Sequence, residues 1–261
     1  MDLVFPETKQ RVAEWAESQD VLGVLLVGSR SHNHADEFSD DDLEVILTDK
    51  SAAALTPTDC LDVLITGEGP QRKIIYDAQY MGWSGLVGKL NSTADLDHWP
   101  YEQAKVLFDR TGELSDLVPR LAIIRPEFRA ARLRHATIDA WTPPYRAAKS
   151  IKRGHEAAAR LLVARGARAL ARLVFALEWR WVPLDHWLEA ELKTLSDPHS
   201  VAPCIVQALL TGDPGELEKG LKLLEPTLLA EGVPGPTGRR DLFLELIHPD
   251  NAVDRAIHGL Q

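Results

Sequence analysis

Apolar positions in the first part of the chain run unbroken or alternate, and beyond about Pro119 they recur at helical spacing. Val12, Trp15 and Ala16 predict a helix from about Pro6 to Ser18, and Val21 to Val27 predict a buried strand ending in a Gly28-Ser29 turn. A polar loop, Ser31 to Ser39, leads into Asp40-Asp41-Asp42-Leu43-Glu44-Val45-Ile46-Leu47, a second strand with acids at alternate positions. Further strands are expected over Leu61 to Thr66 and Arg72 to Tyr80, separated by the turn Gly67-Glu68-Gly69-Pro70. Trp83 to Leu90 and Tyr101 to Phe108 read as short helices.

From Pro126 the period is helical, with Pro143-Pro144 expected to break the first helix near Trp141. From Tyr145 on, Ala148, Ile151, His155, Ala158, Leu162, Ala169, Leu173 and Leu177 mark one buried stripe of a long helix, or of a pair interrupted at Gly166. Lys149, Lys152, Arg153 and Arg160 fall on the opposite side, where a solvated basic face is the plain expectation. Short helices with turns at Asp213-Pro214-Gly215 and Val233-Pro234-Gly235-Pro236 should complete the chain, which has no internal repeat.

The chemistry concentrates in the first strand pair. Side chains alternate along a strand, so Asp40, Asp42 and Glu44 project to one side and Leu43, Val45 and Leu47 to the other. Carboxylates held in that way suit Mg²⁺, which binds through one or two of them together with substrate phosphates. At the turn, glycine permits close backbone approach, and the Ser29 hydroxyl and Arg30 guanidinium offer donors to anionic oxygens. His32 and His34 in the loop are too few for a zinc site by themselves and are read as loop histidines within reach of phosphates.

Gly28-Ser29, the spacer and Asp40-x-Asp42 together resemble the nucleotidyltransferase superfamily of DNA polymerase beta type. Gly28-Ser29-Arg30, the run Ser39-Asp40-Asp41-Asp42-Leu43-Glu44 and the closure Leu107-Phe108-Asp109-Arg110-Thr111-Gly112 look most like the bacterial antibiotic nucleotidyltransferases, including aminoglycoside adenylyltransferases. That resemblance implies two Mg²⁺ ions on Asp40 and Asp42, and triphosphate held by Gly28, Ser29 and Arg30, with ATP or another nucleoside triphosphate as donor. It also implies a third carboxylate on a later strand, acting as metal ligand or base; Asp77 matches, with Asp62 and Glu68 as nearby rivals. A lysine on a helix after the sheet would hold the triphosphate, here Lys149 or Lys152. Glu178 and the aromatics from Phe175 to Trp181 are candidates for an acceptor pocket, although core packing is the commoner use of such residues.

Composition narrows the setting. At 261 residues and 45% hydrophobic content the chain can bury one large or two modest cores. The start lacks the basic and apolar regions of a signal peptide, no apolar run approaches a membrane span of about 18 residues, and two cysteines are too few for a disulfide framework. A reducing cytoplasm is the expected compartment. The net charge of -10 conceals an asymmetry: from Arg120 to Arg180 there are 14 Lys or Arg against 4 Asp or Glu, and elsewhere 15 against 35.

The expectation is an α/β (α+β) chain: a mixed-sheet nucleotidyltransferase domain over 1–119, then an α-helical bundle domain over 120–261, with the active site between them. The expected reaction moves a nucleoside monophosphate, AMP in the first instance, to a hydroxyl of a small acceptor, cationic where it is aminoglycoside-like, and releases pyrophosphate. A protein hydroxyl or an RNA end is the alternative acceptor, with the overall acidity weighing against nucleic acid. A non-catalytic nucleotide sensor or antitoxin-type module is the alternative function.

Overall fold

A computed structural model describes residues 4–251 of the chain, which divide into two compact units. One comprises the described residues up to 92 together with 96–123; the other takes 93–95 and the described residues from 124 on. Pro119, where the sequence places the boundary, lies inside a helix, and the division falls after Ile123.

The first unit is built on a five-stranded mixed sheet. In chain order it runs α1 (Pro6–Glu17), β1 (Val21–Val27), the single turn α2 (Gly28–Ser31), β2 (Asp41–Leu47), α3 (Asp49–Ala52), β3 (Leu61–Thr66), β4 (Lys73–Gly82), α4 (Trp83–Gly88), β5 (Lys105–Asp109) and α5 (Glu113–Leu121). The strand order is β3-β4-β2-β1-β5; β2 and β4 are parallel and every other neighbour is antiparallel.

β1 and β2 read as nearly continuous apolar runs because both faces of the central sheet are covered. On one face Val24, Leu26, Leu43, Val45, Leu47, Tyr76 and Ala78 pack under Trp15 of α1, whose indole N–H donates to the Tyr80 hydroxyl at 2.9 Å. On the other, Leu25, Val27 and Ile46 meet Leu86 of α4 and Leu114, Leu117 and Leu121 of α5. A Cβ at Gly23 would come within 2.3 Å of Leu114, so the glycine is what lets α5 lie close on the strand.

Tyr101 to Phe108 departs from the expected helix. Trp99–Glu102 form a 3₁₀ turn, and Lys105–Asp109 extend as β5, with Gly23 paired to Asp109 and Leu26 to Lys105. Pairing with a strand so far back in the chain supplies backbone partners that local periodicity cannot reveal.

The second unit is helical: α6 (Pro126–Lys152), α7 (Glu156–Leu177), α8 (Leu188–Leu192), α9 (Ala202–Thr211), α10 (Pro214–Ala230) and α11 (Arg239–Ile247). Its core gathers Leu170, Leu173, Val174 and Phe175 of α7 with residues of α6, α9 and α10. No helix among the described residues is long and apolar enough to cross a membrane.

α6 does not break at Pro143-Pro144. Both prolines are buried, and Pro143 packs where α7 passes at Gly166, so tertiary contact offsets hydrogen bonds whose loss normally costs about 3 kcal/mol. The chain turns instead at Gly154, at φ 73°, and the helical phase restarts there. That restart corrects the expected stripe: Ile151, His155 and Ala158 are exposed, whereas Ala147, Ala159 and Val163 are buried.

Asp139 of α6 carries a pH-dependent cost. Burial, outweighing the attraction of Arg172 and Arg165, pushes its carboxyl up to about 7. Because the folded value exceeds the unfolded one, stability is greatest at low pH and falls as pH rises from about 4 to about 7. Asp139→Asn should therefore stabilise the protein by about 2 kcal/mol at pH 8 and by little at pH 4, a figure discounted for the part of the group that water reaches. Denaturant unfolding of both proteins at the two pH values checks this; a less stable asparagine variant at pH 8 would refute it.

Candidate functional site

Four segments of the sheet unit converge on Asp42. β1 ends at Val27, whose register partner on β2 is Asp42, and Asp42 is in turn the register partner of Asp77 on β4. The chain turns at Gly28 with φ 67°, and a Cβ there would stand 1.9 Å from Asp42 Oδ2, so only glycine lets the turn close over this carboxylate. The Ser29 backbone N–H donates to Asp42, and Ser29 itself is buried.

Like charges crowd the same place. Burial, with the added repulsion of Asp40 and Asp77, raises Asp42 to about 7. Asp77 is raised by burial and then by Asp40. The register-matched pair and Asp40 beside it are hard oxygen donors whose mutual repulsion a cation would relieve, which fits Mg²⁺ chemistry. Among the described residues no group of three or more His, Cys, Asp or Glu side chains is placed so that it could hold a metal ion by itself.

Asp41 faces away from this group. Its carboxylate accepts from the Phe5 N–H at 2.8 Å and the Thr8 hydroxyl at 2.5 Å, and lies 3.0 Å from Arg30 Nε. Burial still holds Asp41 above the usual carboxylate range. Arg30, expected at the phosphates, thus forms an ion pair on the α1 side of the sheet, its guanidinium 4.0 Å above the Phe5 ring. Arg30→Ala should lower stability by about 3 kcal/mol, since it leaves a buried carboxylate without its cation. Chemical denaturation measures this, and an unchanged midpoint would return Arg30 to the phosphate role.

Glu44, two residues beyond Asp42 on the same strand, is tied into a triangle that periodicity does not disclose. The Tyr101 hydroxyl donates to it at 2.6 Å, and Lys89 Nζ lies 3.3 Å from Glu44 and 2.6 Å from the Tyr101 oxygen. Burial and the Glu44 charge push the Tyr101 hydroxyl far above its ordinary value, so it stays a donor. Lys89 and Tyr101 carry no motif; they come from two separate 3₁₀ turns brought together by the sheet.

The remaining candidates fall elsewhere. Asp62 pairs with Arg11 at 2.6 Å, and Glu68 is exposed in the β3–β4 turn. His32 is buried against Trp99 with ring centres 4.3 Å apart, and His34 stacks on it at 6.5 Å. Lys149 and Lys152 are exposed in the last turn of α6, in the helical unit. Glu178 accepts the backbone N–H groups of Ser196 and Asp197 at 2.9 Å each, Phe175 and Trp181 are core residues, and Trp179 is half exposed.

Residues 99–188 match a family described only as a domain of unknown function, DUF4037. No curated protein matches the chain. Among solved structures, it is similar to one titled a nucleotidyltransferase-like protein from Exiguobacterium sibiricum 255-15, at 19% identity and a TM-score of 0.47, covering 92% of this chain and 78% of that one.

Proposed function

We propose that the sheet unit carries a divalent-cation-dependent nucleotidyltransferase site that moves AMP from ATP to a hydroxyl of a small acceptor, releasing pyrophosphate. The observation that carries this reading is the Asp42–Asp77 register pair, with Asp40 beside it, under a Gly28-Ser29 turn shaped around Asp42. Asp40 and Asp42 would hold Mg²⁺, which neutralises phosphate charge and aligns the attacking and leaving oxygens, and Asp77 is either their third companion or the base.

The chain's own residues have separate duties in this scheme. Ser29 fixes the Asp42 carboxylate through its backbone N–H and offers its hydroxyl to phosphate oxygen. Where Asp77 is the base and not a ligand, its basicity, raised by burial and by Asp40, lets it take the proton of the acceptor hydroxyl as that oxygen bonds to the α-phosphorus and the bond to pyrophosphate breaks. Arg30 holds Asp41 and, through it, the start of β2. Lys149 and Lys152 are what the helical unit offers for the triphosphate. An aminoglycoside-like polycation is the acceptor class that suits the acidity outside 120–180.

A nucleotide-binding module without transfer is the competing reading, favoured by the absence, among the described residues, of three His, Cys, Asp or Glu side chains placed to hold a metal ion. Incubation with each labelled triphosphate, Mg²⁺ and a panel of aminoglycosides, proteins and RNAs decides between them. A nucleotidylated small molecule supports the proposal; triphosphate binding with no product on any acceptor favours the competitor.

A further inference from the structure

Strand β3 inverts the usual alternation of a half-covered sheet, which buries apolar side chains and turns polar ones to water. Asp62 faces the α1 side, where it pairs with Arg11, and Leu64 packs against the core on that side. Leu61, Val63 and Ile65 project to the opposite side and are 50%, 37% and 36% exposed. Ile74 of β4, the register partner of Ile65, shares that side and is 41% exposed. Four aliphatic side chains thus form a ledge on the sheet face turned away from α1.

The carboxylates lie on the same face. Register carries one row across the sheet, from Val27, where β1 passes into the Gly28 turn, through Asp42 and Asp77 to Val63. Neighbouring strands stand about 4.8 Å apart, so Val63 flanks Asp77 on the side away from the turn, roughly 10 Å from Asp42. Leu61 continues the ledge beside the exposed Gln79, its partner on β4, and Ile65 with Ile74 continues it in the other direction. With phosphates held at the Gly28-Ser29 end of the row, a hydroxyl that approaches the carboxylates from the other end brings the rest of its molecule onto Val63 and its neighbours. Exposed aliphatic side chains grouped beside charged ones mark a surface that binds something.

We infer that the acceptor joins its reacting hydroxyl to an apolar body, which seats on the ledge of Leu61, Val63, Ile65 and Ile74. The inference rests on the transferase reading and narrows its substrate class. Amino groups on the far side of such a body remain compatible with the acidity outside 120–180, whereas a polycation that is polar on every face leaves the ledge in water.

Straight-chain primary alcohols from ethanol to hexanol, offered to the full chain with labelled ATP and Mg²⁺, test it. Each transfer bonds the alcohol oxygen to the α-phosphorus and breaks the bond to pyrophosphate, giving an alkyl ester of AMP, pyrophosphate and a proton. The expected result is a kcat/KM that rises about two- to fourfold for each added methylene. Val63→Thr and Ile65→Thr keep the branched shape and strand preference while placing hydroxyls on the ledge, so the double variant remains folded, which circular dichroism verifies. It should lower kcat/KM for hexanol by about tenfold, mainly through KM, and flatten the series, whereas Val63→Ile should keep the rise. Transfer that does not increase with chain length, or a series unchanged in the folded double variant, overturns the inference and leaves the transferase reading standing. A dimer that the double variant dissociates in sedimentation makes the ledge an interface between copies and also overturns it. If ATP yields AMP and pyrophosphate with neither the alcohols nor water as acceptor, the transferase reading and this inference fall together.

Discussion

Replacing Asp42 with asparagine is expected to lower nucleotide transfer by at least about a thousandfold while the protein keeps its fold. The amide has the carboxylate's shape, so the turn at Gly28 still closes over it and the Ser29 N–H keeps an oxygen acceptor. What is lost is the charge that would bind a cation. The change also removes repulsion with Asp40 and Asp77, so the melting temperature should hold or rise. Transfer from labelled triphosphate, measured alongside thermal melting, reads both quantities. Asp40→Asn should behave in the same way, and full activity in either folded variant would remove the transferase reading.

Asp77→Asn separates two roles that share one position. If Asp77 is the base, turnover should fall by about two to four orders of magnitude with triphosphate affinity unchanged. If it is a metal ligand, Mg²⁺-dependent triphosphate binding should weaken as well. Steady-state kinetics and a binding titration on one variant distinguish the cases, and near-normal turnover excludes both. Glu44 is a poor substitute as base, because Lys89 and Tyr101 already hold its charge.

The mixed sheet followed by helices was legible because the central strands are covered on both faces and their apolar runs are long. The alternation on β2 likewise showed which acids share a side. It could not show that Arg30 bends to the other side, since a long side chain reaches either face and its partner Asp41 sits inside the same acidic run. β5 was hidden because its backbone partners lie on β1, far back in the chain. Pro143-Pro144 misled because the compensation lies at Gly166, on another helix. The Glu44–Tyr101–Lys89 triangle joins residues 44, 89 and 101, a contact between segments with no shared pattern.

The position of β1 between β2 and β5 has a consequence for how the chain can be cut and made. β2 follows β1 after a short loop, but the other edge of β1 stays open until the chain has extended to Lys105–Asp109. A growing chain therefore carries an apolar strand with one unpaired edge, the form most prone to pair with another copy, for much of the time the first unit is being synthesised. A fragment ending before Lys105 would retain Asp40, Asp42 and Asp77, yet it would present that edge permanently. It should aggregate through β1 rather than serve as a minimal catalytic piece.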